Sequence, residues 1–118
     1  MNLTRQNYGT TTVISCEEDR LDALVAVRFK DRFRDLQSSD ARRYVLDLSN
    51  VAFLDSSGLG AVVAVYKALG DEAALDLAGL SPTVERVLRL TRMDSVFRIY
   101  PDVETALTAR EGTSGYAA

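Results

Sequence analysis

The chain has 118 residues, with 14 Lys and Arg against 17 Asp and Glu, one Cys and no His. That length, at 47% hydrophobic and 26% charged residues, suits one globular domain with a single core and excludes a two-domain enzyme. Lacking His, the chain has no His-dependent triad and no imidazole zinc site; its single Cys builds neither an internal disulfide nor an all-cysteine metal cluster, and a net charge of −3 with interspersed signs lacks the basic field of a nucleic-acid binder.

The opening Met1-Asn2-Leu3-Thr4-Arg5 has no signal-peptide pattern, and no apolar run approaches the roughly 18 to 20 residues that cross a bilayer, so a reducing cytoplasm is the expected location. Asn2 to Tyr8 and Thr10 to Cys16 read as two short strands about a turn at Gly9, the second carrying the β-branched run Thr10-Thr11-Thr12-Val13-Ile14. Cys16, in an apolar stretch followed by two acids, reads as a buried and inert thiol. From Leu21 the spacing becomes helical through Leu24, Val25, Phe29, Phe33 and Leu36, with Asp22 the expected N-cap and Gln37-Ser38-Ser39-Asp40 the stop.

Arg43 to Leu48 is nearly continuous in apolar character, as in a strand buried on both faces, and Arg42-Arg43 reads as surface charge at its start. After a Ser49-Asn50 turn comes the apolar run Val51 to Leu54, and Asp55-Ser56-Ser57-Gly58 then leads into the stripe Leu59, Val62, Val63, Tyr66. Ala73 to Ala78 reads as a strand despite Asp76. Ser81-Pro82 opens a helix with Val84, Val87 and Leu88 on one face, where Arg86, Arg89 and Arg92 form a solvated face. Val96 to Tyr100 is a short strand, Pro101-Asp102 starts a last helix with Val103, Ala106 and Leu107 inward, and residues 111–118 read as a frayed tail after a domain of residues 1–110. The five tyrosines, Tyr8, Tyr44, Tyr66, Tyr100 and Tyr116, read as packing residues. The order ββαβαβαβα calls for right-handed crossovers and the α/β class: a four- to five-stranded, mixed but mostly parallel sheet packed against about four helices.

Chemistry concentrates in Leu54-Asp55-Ser56-Ser57-Gly58-Leu59-Gly60. Neither nucleotide-binding fingerprint is met, because a third Gly and a Lys-Ser/Thr pair are missing, and the Gly two residues before a hydrolase serine is also absent. Two readings remain open on the residues alone. One of Asp55, Ser56 and Ser57 caps the helix while Gly58 permits a tight bend, or a hydroxyl accepts a phosphate, which the free N–H groups and positive dipole end of a helix N-terminus tolerate.

Tyr44 through Gly60, with Asp55-Ser56-Ser57-Gly58-Leu59-Gly60 at its end, resembles the signature of the STAS family, the bacterial anti-sigma-factor antagonists. Arg20-Leu21-Asp22, Ser81-Pro82-Thr83-Val84 and Met93 through Tyr100 extend the resemblance over roughly Leu3 to Arg110, while Asp19 stands where the family commonly has Gly. The resemblance implies a non-catalytic protein without cofactor or metal. Ser56 would be phosphorylated by an anti-sigma factor with a serine-kinase fold that supplies the ATP, and restored by a PP2C-type phosphatase. The unphosphorylated form would bind the anti-sigma factor and free the sigma factor. Asp22, Asp55, Ser56, Ser57, Gly58 and Leu59 would form the partner-binding set, with Asp55 also orienting the Ser56 hydroxyl. A second STAS role is an adaptor subunit of a stressosome-like scaffold or of a lipid or anion transporter, with no phosphorylation. An enzyme using only the carboxylates of Asp47 and Asp55 is a third reading, to be decided by whether an apolar pocket joins them.

Overall fold

The computed structural model describes residues 1–109, so the expected tail at 111–118, Tyr116 included, lies outside the described residues. β1 (Leu3–Tyr8) and β2 (Thr11–Cys16) form an antiparallel hairpin whose turn places Gly9 at φ +64°, a left-handed conformation that glycine adopts without a Cβ penalty. β4 (Arg43–Asp47), β6 (Ala74–Ala78) and β7 (Ile99–Tyr100) add in parallel, giving a five-stranded sheet of order β1-β2-β4-β6-β7. Its parallel part is connected by α1 (Ala26–Asp35), α2 (Ser56–Leu69) and α3 (Pro82–Leu90), and α4 (Val103–Thr108) follows β7.

Strand alternation divides the core in two. On one face Ile14, Leu46, Leu75 and Leu77 pack under Phe29 and Phe33 of α1, Ala61, Val62 and Val65 of α2, and Val84 and Leu88 of α3. On the other, Val13, Val45, Ala78 and Tyr100 are covered by Ala106 of α4. β4 sits between them and is buried on both sides, which is why its sequence is apolar without alternation.

Three expectations change. The helix anticipated from Leu21 begins at Ala26, because Arg20–Leu21 is drawn into a short strand, β3, paired in parallel with β5 (Phe53–Leu54) in a separate two-stranded ribbon. Asp22 therefore does not cap α1. It folds the turn before it, accepting the Leu24 N–H on its carboxylate at 3.1 Å and the Val25 and Ala26 N–H groups on its carbonyl. The strand expected over Val96 to Tyr100 is only Ile99–Tyr100, since residues 93–95 wind into a 3-10 turn and β6 offers partners only at Leu77 and Ala78.

The third change is Arg43, which is buried rather than surface charge. It and Asp76 lie on the α4 side of neighbouring strands. Arg43 Nε donates to Asp76 Oδ2 at 2.7 Å, Nη1 donates to the Ala106 carbonyl at 2.7 Å, and the guanidinium lies 5.3 Å from the centroid of the Tyr100 ring. Nη2 is buried with no hydrogen-bond partner. One cation thus ties β4, β6 and α4 together at a desolvation cost that only a close ionic partner offsets. Asp76→Ala is expected to destabilise the domain by about 3 to 5 kcal/mol by leaving a buried unpaired charge, whereas Arg43→Met combined with Asp76→Leu recovers most of that loss. Urea denaturation of the single and double variants checks this; equal losses in both would contradict it.

Candidate functional site

The Asp55-Ser56-Ser57-Gly58 segment sits where β5 turns into α2, at the end of the sheet where the parallel strands finish. The ribbon sets its position. Asp19 receives the Ala52 and Phe53 N–H groups on its carbonyl at 2.8 and 3.2 Å, and the Leu21 carbonyl receives the Asp55 N–H at 3.2 Å. From the other side Ser81, the N-cap of α3, donates its hydroxyl to the Val51 carbonyl at 3.1 Å and accepts the Val84 N–H at 3.3 Å. The loop is held by backbone on two sides.

Asp55 is the N-cap of α2, its Oδ1 accepting the Gly58 N–H at 2.9 Å. A carboxylate here also meets the positive end of the helix dipole. That assignment fixes which of the three residues caps the helix. Asp55 does the capping and makes no hydrogen bond to the Ser56 hydroxyl; Ser56 and Ser57 are exposed, and neither hydroxyl is engaged in a hydrogen bond among the described residues. The N–H groups of Ser56 and Ser57, in the first helical turn, have no carbonyl four residues back to pair with. Two hydroxyls and two backbone donors therefore face solvent together.

Gly58 is required for a different reason than a bend. It lies inside the helix at an ordinary φ and is buried against Leu21; a Cβ there would overlap the Leu21 carbonyl oxygen and come within 2.7 Å of its carbon. Gly60, two residues on, is exposed, and a Cβ there meets nothing within 4 Å. Leu59 is half-buried against the main core, and Asp22 is half-buried with its Oδ2 receiving Arg20 Nε at 3.2 Å. The partner-binding set expected from the sequence is thus gathered at one end of the molecule, with Gly58 buried under it as a spacer.

The carboxylate pair fares differently. Asp47 accepts the Ser49 N–H at 3.0 Å and faces Ser15 at 3.4 Å, and it borders a cavity of about 460 Å³ with Gly79, Pro101 and Asp102, whereas Asp55 is turned into its own helix cap. The two acids do not share that cavity. Cys16 is buried, and burial pushes its thiol up to about 11, away from nucleophilic use. Arg86, Arg89 and Arg92 are exposed, with Arg89 3.7 Å from Glu85, as a solvated face requires. Tyr44 and Tyr100 are buried, while Tyr8 and Tyr66 are exposed and Tyr66 meets Phe97 edge-on at 5.2 Å. Sequence reading missed the Leu21-centred ribbon and the Arg43–Asp76 pair; two opposite charges inside adjacent apolar strands were the available signal for the latter.

A mixed sheet with three helices on one face, and a capped serine pair at the start of the second, defines the class of small α/β domain to which the sequence motif pointed. The model of the STAS domain matches residues 2–106, and the chain belongs to that family. It is similar to an anti-sigma F factor antagonist of Paenibacillus polymyxa, 31% identical over 80 residues that make up 67% of this chain and 68% of that protein. It is also similar to a STAS-domain containing protein of Pseudomonas aeruginosa, 41% identical over 59 residues, 49% of this chain and 58% of the relative. Among solved structures, an anti-sigma factor antagonist from Mycobacterium paratuberculosis superposes with a TM-score of 0.80 at 28% identity, over 91% of each chain. No helix among the described residues is long and apolar enough to cross a membrane.

The glycine geometry yields a paired test. Gly58→Ala is expected to cost about 1 to 3 kcal/mol or more, because backbone must move to admit the methyl. Gly60→Ala, with open space and a helical φ, is expected to stabilise by about 0.4 to 1 kcal/mol. Urea unfolding of both variants reads the two signs, and a tolerated Gly58→Ala would refute the close approach.

Proposed function

We propose that this domain is a phospho-switchable anti-sigma-factor antagonist: with Ser56 free it binds an anti-sigma factor of serine-kinase fold and releases a sigma factor, and with Ser56 phosphorylated it lets go. The observation that carries the reading is the division of labour at the helix entrance. Asp55 supplies the cap, so the Ser56 hydroxyl is exposed and spared from structural duty. The relatives named as anti-sigma factor antagonists support the same role.

Phosphoryl transfer here breaks the bond between the γ-phosphorus of ATP and its bridging oxygen and forms one to Ser56 Oγ. The hydroxyl proton passes to a base of the kinase, and ADP leaves. The product adds about −1.5 to −2 charge beside Asp55, and the unpaired N–H groups and dipole of α2 stabilise it without refolding. Repulsion falls on the partner. Its nucleotide must approach Ser56 for transfer, so the new dianion faces the remaining phosphates across a desolvated contact. A PP2C-type phosphatase resets the switch. The domain works by binding, and Asp22, Asp55, Ser57 and Leu59 serve as contact residues around the acceptor while Gly58 shapes the loop.

Phosphopeptide mapping of protein from its source cells, with and without stress, is expected to place a condition-dependent phosphate on Ser56. Ser56→Ala should keep the fold and the anti-sigma complex, Ser56→Asp should weaken it by about 5- to 150-fold, the usual range of a coupling free energy, and Ser57→Ala should still be labelled. Equal affinities of Ser56→Ala and Ser56→Asp would sink the switch. Labelling lost in Ser57→Ala but kept in Ser56→Ala would move the acceptor to Ser57.

A further inference from the structure

The end of the molecule that carries Ser56 also carries apolar side chains that stay exposed among the described residues. Leu24, in the turn before α1, is 86% exposed; Val27, in its first turn, is 62% exposed; Phe53, in β5, is 38% exposed. α1 needs none of this, since Ala26, Phe29 and Phe33 carry its buried face. The three residues flank the contact of Leu21 with Asp55 and Gly58: Leu24 and Val27 follow Leu21 in the chain, and Phe53 precedes Asp55 by two residues. α1 and α2 run in the same direction, both starting where parallel strands end, and Lys30, Phe33 and Arg34 stand opposite Ala64, Val65 and Ala68 across their groove. By i, i+3, i+7 spacing Val27 shares a face of α1 with Lys30 and Arg34, the side toward this groove. Phe53 lies on the ribbon three residues before Ser56.

Charge around this strip is predominantly acidic. The loops bordering it hold Glu17, Glu18, Asp19, Asp22 and Asp55, and their one cation, Arg20, is paired with Asp22 at 3.2 Å and lies 4.8 Å from the centroid of the Phe53 ring. Arg28 directly follows Val27 in the first turn of α1, and the Met1 amino group lies at the start of β1, so the acids outnumber the cations around the strip without excluding them. An apolar strip with an acidic border selects a partner with an apolar patch and a basic border, because like charge there is excluded and opposite charge speeds encounter.

We infer that Leu24, Val27 and Phe53 form the apolar half of the docking surface, and that its occupant is the anti-sigma factor, presenting an apolar patch bordered by Lys or Arg. The inference rests on the antagonist reading of Ser56 above and extends the interface from the serines onto the N-terminal turn of α1. Attraction acts at the border and phosphate repulsion at the centre, where the partner's nucleotide meets Ser56. The two therefore do not cancel: the border sets encounter and the centre sets release.

The test is a titration of the anti-sigma factor that Ser56→Ala retains from source cells, identified by mass spectrometry and purified, against full-length variants. Leu24→Glu and Val27→Glu are each expected to weaken binding at least tenfold with unchanged thermal unfolding. Leu24→Met and Ser39→Glu, the latter in the exposed turn at the opposite end, should stay within twofold. Asp19→Lys should slow association severalfold at low salt and less at high salt. Binding by both Glu variants within twofold of the parent, while Ser56→Asp still weakens it, overturns this docking surface and leaves the switch standing. Loss of a dimer of this chain, in place of lost anti-sigma binding, overturns it in favour of a self-interface. If Ser56→Ala retains no anti-sigma factor at all, the antagonist reading fails and this one with it.

Discussion

The approach of the α2 backbone to the Leu21 carbonyl is the constraint on which the site depends. That one oxygen receives the Asp55 N–H and lies directly against Gly58, so the ribbon of β3 and β5 and the first turn of α2 are locked as one unit. The lock fixes where the helix begins, and with it which residue caps and which hydroxyls are left outside. A side chain at position 58 would wedge the ribbon and helix apart. The glycine is thus a packing requirement with a functional consequence, because the capping geometry of Asp55 follows from the same contact.

Under the proposed function, position at the helix entrance explains how one small group would switch a whole interaction. A phosphate there is electrostatically acceptable to its own domain, since the first-turn N–H groups are unpaired and the dipole favours an anion. To the proposed partner, which would bring further phosphate toward the same point, it would be unacceptable. The folded state need not change for affinity to change, and coupling of about 1 to 3 kcal/mol is within reach of a desolvated like-charge contact. A neutral hydroxyl and a dianion would then be read as different surfaces on an unchanged backbone.

Stability is arranged away from this end. Beneath α4 the Arg43–Asp76 pair spans two strands and holds the last helix through the Ala106 carbonyl. Buried ion pairs give little net stability relative to apolar packing, but they strongly penalise arrangements that separate the partners. Here the pair sets α4 over Val13, Val45 and Tyr100, the smaller of the two cores. The larger core, under α1, α2 and α3, is apolar and supports the Asp55–Gly58 segment from below. The asymmetry lets the helix entrance keep exposed polar groups without weakening what holds the sheet.

Local chemistry by itself determined much of this protein. The β-branched hairpin about Gly9, the continuous apolar run of β4, the Ser81-Pro82 helix start and the Asp-Ser-Ser-Gly entrance to α2 are each specified within a few residues, because propensity, capping and turn conformation act over that range. What only the tertiary structure decided are the pairings between distant segments. Arg20–Leu21 leaves the helical pattern because Phe53–Leu54 offers it a strand partner, Arg43 goes inside because Asp76 meets it from the next strand, and Gly58 is needed because Leu21 comes to lie beside it. In each case a long-range backbone or ionic contact overrides a weak local preference, and no window of the sequence contains both partners.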